Sequence, residues 1–96
     1  MHALVGVFDM DRALFAQQQQ FLKERIVPSV RQTPGFVAGY WSYDHATAKS
    51  HSYIVLEDEA AAKRLVEMVR ANTAQSTHGV KIESLATVEV IADARK

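Results

Sequence analysis

The chain has 96 residues, of which 48% are hydrophobic and 23% charged, the balance of an ordinary folded domain. Eleven basic and eleven acidic side chains cancel, and there is no cysteine. The first fact argues against a nucleic-acid partner, which requires clustered cationic surface; the second excludes disulfides, thiolate catalysis and thiolate metal sites. This length supports one modest core, so a single domain over residues 1–96 is expected. Met1 to Phe8 is apolar, but no basic segment precedes it and Asp9 and Asp11 interrupt it. No signal peptide, no membrane partner and a cytoplasmic location are therefore expected.

Ala3 to Phe8 is rich in strand formers and apolar at successive positions, which predicts a central strand covered on both faces. Asp9 or Asp11 is placed to cap the next element. From Asp11 to Gln32 the spacing is helical, with Leu14, Gln18, Leu22, Ile26 and Val30 recurring every fourth residue. Pro28 falls inside that pattern. It lacks an N–H and crowds the carbonyl of Glu24, so a kink or a break is expected there. Thr33-Pro34-Gly35-Phe36 then stops the helix.

Phe36 to Asp44 and Ser50 to Leu56 read as two strands joined by the short polar segment 45–49, too close for anything but antiparallel pairing. Asp58 opens a second helix, whose stripe is Ala62, Leu65, Val66 and Val69. Residues 72–79 have loop composition, and Val80 to Ala92 forms a last strand region with a break expected near Ser84 or Leu85. The order β-α-β-β-α-β predicts an α+β, ferredoxin-like fold: a four-stranded antiparallel sheet with two helices on one face.

The other face needs a cover. Pairing odd with odd positions across the hairpin places Phe36, Ala38 and Tyr40 with Ile54 and Leu56 toward the helices. Val37, Trp41 and Tyr43 then share the opposite face with His51, Tyr53 and Val55. Such an aromatic face exceeds what a monomer leaves in water, so a homodimer packed sheet to sheet is expected. If Val88 and Val90 face the helices, Glu89 points to that same dimer side. His45 and His51 flank the hairpin tip without a third ligand, so no metal is expected. His78-Gly79 reads as the end of a loop. No phosphate-binding loop, dinucleotide fingerprint or nucleophile elbow is present.

Several stretches together resemble the dimeric α+β barrel superfamily. They are the short apolar first strand, the helix carrying Ile26-Val27-Pro28, the Thr33-Pro34-Gly35-Phe36 turn, the Gly39-Tyr40-Trp41 strand and the alanine-rich helix after Glu57-Asp58-Glu59. More narrowly, the chain is similar to antibiotic-biosynthesis-monooxygenase-type domains. That resemblance implies a pocket between helices and sheet or within the barrel. It also implies a cofactor-independent monooxygenase-like protein binding a small aromatic or polyketide-like molecule, with no cofactor. His51 and Tyr43 are the candidate catalytic residues, as proton acceptor and hydrogen-bonding group. Trp41, Tyr53 and Phe8 are the candidate substrate-binding residues. Haem-degrading members of the superfamily carry an Asn on the first strand and a Trp on the second helix, both missing here, so haem chemistry is not expected. A non-catalytic binder of small apolar ligands and a plain assembly module are the alternative functions the same fold allows.

Overall fold

A computed structural model describes residues 1–96. Strands β1 (His2–Met10), β2 (Phe36–Asp44), β3 (Lys49–Leu56) and β4 (Val80–Glu89) form one antiparallel sheet in the order β2-β3-β1-β4. β1 is central, as its apolar run requires, pairing with β3 on one side and β4 on the other. Asp11 accepts from the Ala13 N–H at 3.0 Å and starts a 3₁₀ turn, Arg12–Leu14. Helix α1 (Phe15–Phe21), a π turn (Leu22–Ile26) and helix α2 (Val27–Arg31) follow without interruption.

The expected break at Pro28 is taken up one turn earlier. The Val27 N–H bonds the Leu22 carbonyl five residues back, so the backbone widens before the proline ring instead of stopping at it. The extra residue in that turn also rotates the stripe. Val30 is buried, whereas Ile26, expected beside it, is 40% exposed.

Thr33-Pro34-Gly35-Phe36 is a tight turn closed by the Phe36 N–H on the Thr33 carbonyl, with Gly35 at φ +84°. Proline followed by a positive-φ residue is the type II arrangement. The Gly35 carbonyl in turn accepts from the Glu57 N–H at 2.8 Å, tying the turn to the end of β3. Asp58 accepts from the Ala61 N–H at 2.8 Å and opens helix α3 (Glu59–Ala74). This helix extends three residues into the stretch whose composition reads as loop, because Asn72, Thr73 and Ala74 remain in the hydrogen-bonded ladder.

The hairpin register reverses the expected faces of Ala38, Tyr40, Trp41 and Tyr43, while Phe36 and the β3 residues lie as expected. Four residues, 45–48, separate the paired Asp44 and Lys49, so even positions pair with odd ones: Trp41 with Ser52, Tyr43 with Ser50. Ala48 takes a left-handed φ of 57° to close this loop. A bulge at Val37 then returns Phe36 to the side of Leu56. Phe36, Gly39, Trp41 and Tyr43 therefore face the helices with Ser50, Ser52, Ile54 and Leu56. Ala38 and Tyr40 lie with His51, Tyr53 and Val55 on the open face. Glu89 pairs with His2 on the helix side and Val88 with Ala3 on the open side, again opposite to expectation. The break expected near Ser84 or Leu85 does not occur: β4 runs on from Val80 to Glu89 and takes up the irregularity as a bulge at Glu83, between the pairs Val7–Ser84 and Phe8–Ile82.

The core, made of Leu4, Val30, Ile54, Leu56, Ala61, Ala62 and Leu65, sits at the end of the sheet nearest the Pro-Gly turn. Ala61 and Ala62 let α3 approach the sheet closely there. A Cβ at Gly35 would sit 3.0 Å from that of Ala61, and a left-handed backbone is costly for any residue with a Cβ. Gly35→Ala is expected to lower the unfolding free energy by about 1–2 kcal/mol. Urea titration would show this as a lower midpoint with an unchanged slope.

Candidate functional site

At the other end of the sheet the floor is low. Ser50 and Ser52 replace large side chains on β3, and the segment α1–α2 spans the sheet without filling the space beneath it. A cleft of about 500 Å³ results, bounded by this segment, by the sheet and by the C-terminal half of α3 with the loop after it. That volume falls in the range of small-molecule sites, which are mostly apolar with few placed polar groups. Phe8, Phe21, Leu22, Trp41, Ile54 and Met68 supply apolar wall, and Arg25 is its single charged side chain.

Trp41 reaches the cavity because its indole lies over Gly39, where a Cβ would come within 2.9 Å of the ring. Tyr43 closes the far end. Its ring packs against Phe15 at 4.7 Å and against His45 at 4.8 Å, edge to face with the imidazole. Its hydroxyl is buried without a hydrogen-bond partner. The His78 imidazole also lines the cavity and packs on Phe21 at 4.2 Å between ring centres.

Gln18 lies between these elements. Although polar, it is only 4% exposed. Its Nε2 donates to the Asp11 carbonyl at 3.0 Å and to the His78 carbonyl at 2.7 Å, fastening the loop after α3 to the start of α1. Its Oε1 has no partner. A buried acceptor left unpaired costs about 1–3 kcal/mol, and Gln18 Oε1 and Tyr43 Oη are both buried without a partner.

Of the five candidate residues, the structure brings three together at this cavity: Tyr43, Trp41 and Phe8. His51 and Tyr53 are carried by the same strand as Ser50 and Ser52 but point the other way, onto the open face. Gln18 and His78 are cavity residues that the sequence did not single out. For Gln18 a signal existed: a polar residue at a repeat position of an otherwise apolar helical stripe. For His78 there was none, since a loop end has no periodicity to place it.

The chain matches no protein-family model and no curated protein at the level of sequence. Solved structures do match. MhuD, a haem degrader from Mycobacterium tuberculosis with two haems bound in its active site, is 13% identical with a TM-score of 0.76, over 99% of this chain and 100% of that one. MupZ from Pseudomonas fluorescens is 14% identical with a TM-score of 0.72; the match covers 90% of this chain and 65% of MupZ, just under two thirds of its length. A monooxygenase from the gene ActVA-Orf6 of Streptomyces coelicolor, in complex with Nanaomycin D, is 16% identical with a TM-score of 0.62 over 99% and 92% of the two chains. At such identities the likeness is one of fold. The chain has the ferredoxin-like α+β fold that these proteins share.

The hairpin that carries Tyr43 and His45 is held at its tip by Asp44, which accepts from the Ala46 N–H at 2.9 Å. That bond, with the Thr47 hydroxyl second, holds the Asp44 carboxyl below the ordinary aspartate range. A depressed carboxyl contributes stability above its unfolded pKa and loses it as pH falls through the folded value. Stability should therefore decline below about pH 4. NMR titration should place the Asp44 midpoint below that of an unstructured aspartate, and Asp44→Asn should remove this part of the acid dependence.

Proposed function

We propose that the cavity binds a small, flat, largely aromatic molecule and that the protein acts on it as a cofactor-independent monooxygenase-like enzyme. The observation carrying this reading is the 500 Å³ space between helices and sheet, walled by Phe8, Trp41 and Tyr43. Trp41 and Phe8 supply faces for a ring to pack on, and Tyr43 lines the same space. The fold shared with a monooxygenase bound to Nanaomycin D is compatible with a ligand of this class. In the direct reaction a phenol ring gives its own electrons to dioxygen. One oxygen atom becomes the new carbonyl of a quinone, and the other leaves as water with two substrate hydrogens. The phenol must first lose its proton, and His78 is the imidazole that lines the cavity. His51, on the open face, takes that part only if a second subunit completes a site there.

The open face supports a partner. Val37, Tyr40, Tyr53 and Val88 are large apolar side chains left between 37% and 73% exposed on it. At its edge Lys49 bridges Asp9, at 3.1 Å, and Glu83. We propose that a second copy of the chain covers this surface, with Tyr40 and Tyr53 at the centre.

The two parts are tested separately. With a hydroxynaphthalene substrate, oxygen uptake should match quinone formation one to one, and labelled dioxygen should leave one labelled atom in the product. Trp41→Ala should lower kcat/KM by about 10-fold or more, the loss of a face that holds the ring in place. Binding without oxygen uptake would instead establish a non-catalytic binder. Sedimentation at micromolar concentration should show a dimer that Tyr53→Glu dissociates; a folded wild-type monomer would overturn the interface.

A further inference from the structure

Charge enters the cleft at one place only. Arg25 is the single charged residue along it, and no Asp or Glu carboxylate lines it. Helical spacing accounts for the placement. Gln18, Leu22, Arg25 and Ser29 follow one another at intervals of four, three and four residues, so one face of the α1–α2 segment carries them all to the cleft. The neighbouring charges Lys23 and Glu24 fall off that face and do not line it. Glu24 is engaged by Gln20 instead, whose Nε2 donates to its Oε1 at 3.3 Å. One turn to either side of Arg25 stand Phe21, Leu22, Pro28 and Ser29, none of which offers a carboxylate. Its guanidinium accordingly forms no ion pair within the chain. The residue is exposed, so it stands at the rim of the cleft, open to whatever enters.

We infer that Arg25 is a specificity-determining residue of this site and that the molecule bound there is an aromatic acid, its ring in the apolar part of the cleft and its carboxylate at the rim against the guanidinium. The inference rests on the ligand-binding reading of the cleft and adds the substrate class. A carboxylate is strongly hydrated and does not enter an apolar space unaided. A guanidinium at the rim receives it with two parallel N–H donors, while both groups keep part of their water. With no carboxylate along the cleft, nothing there competes for Arg25 or repels an incoming anion. Apolar walls beside a lone cation also focus its field into the opening. Such an anchor fixes one end of a flat molecule, so that the opposite edge of its ring goes deepest.

The test compares 2-naphthoate with 2-naphthamide by calorimetric titration of the whole chain at pH 7, where the first is an anion and the second is neutral. The two share a ring system and a planar end group that accepts hydrogen bonds, so the uncharged polar side chains of the lining serve either one. 2-Naphthoate should bind about 5-fold tighter or more, as one partly solvated ion pair provides. Arg25→Gln should bring the ratio to one or below, and because Arg25 is exposed this variant leaves the packed core as it is. Added salt should weaken naphthoate binding and leave naphthamide binding unchanged; naphthoate affinity indifferent to salt overturns the inference. Equal binding of the two compounds by the unaltered protein, or tighter binding of the amide, also overturns it and leaves the cleft reading standing. Binding of neither overturns both. His78→Gln serves as the second variant, since a protonated imidazole is the other group along the cleft able to hold an anion. A preference for naphthoate that survives His78→Gln and disappears with Arg25→Gln supports Arg25. A preference that survives Arg25→Gln, or that disappears with His78→Gln, assigns the anion elsewhere and overturns the inference.

Discussion

The pairing of Trp41 with Ser52 across the β2–β3 hairpin decides which side chains line the cavity. Side chains alternate along a strand, so a slip of one residue would carry Trp41 and Tyr43 to the open face and bring Tyr40 and Ser42 beneath the helices. The observed register is held from both ends. At the tip, a loop of four residues closes through Ala48 in a left-handed conformation and through the Asp44 bond to Ala46. At the base, the bulge at Val37 lets Phe36 rejoin Leu56 in the core. Between these points one aromatic wall and two serines share a face, and the combination of large neighbours with a low floor leaves room for a ligand.

Helix α3 and the segment α1–α2 treat the sheet differently. Through Ala61, Ala62 and Leu65, α3 sits directly on Leu4, Ile54 and Leu56, and this end of the molecule is densely filled. The other segment reaches that core through Val30 and otherwise roofs the cavity. Its π turn serves the same arrangement, absorbing Pro28 and turning Ile26 out of the packed stripe. Close packing over the whole sheet would gain burial free energy at about 25 cal/mol per Å² of apolar surface. Leaving part of it unfilled, with Gln18 Oε1 and Tyr43 Oη unpaired, forgoes that gain and leaves the cavity.

The two faces of the sheet carry separate tasks. The covered face holds the cavity, whose aromatic and aliphatic wall is joined by the polar residues at the end of α3 and the loop after it. The open face is apolar at Val37, Tyr40, Tyr53 and Val88 and ionic at the Asp9–Lys49–Glu83 edge. β3 serves both at once, with Ser50, Ser52 and Ile54 on one side and His51, Tyr53 and Val55 on the other. A substitution in this strand therefore affects either the cavity or the open face according to whether its number is even or odd.

The order of strands and helices, the capping aspartates Asp11 and Asp58, the stop at Pro34-Gly35 and the stripe of α3 were all legible from residue types and spacing. These features are local: each depends on contacts within about four residues, which the sequence states directly. An overly apolar sheet face was legible too, although the residues composing it were not. Which aromatics faced the helices depended on the parity of one four-residue loop and on one bulge, and neither has a compositional signature strong enough to set register. Gln18 and His78 lie 60 residues apart, and only the folded chain brings the amide of one to the carbonyl of the other. Periodicity and turn chemistry thus determined the architecture. The cavity and its polar groups were decided by tertiary packing, because a site made of long-range contacts leaves no pattern along the chain.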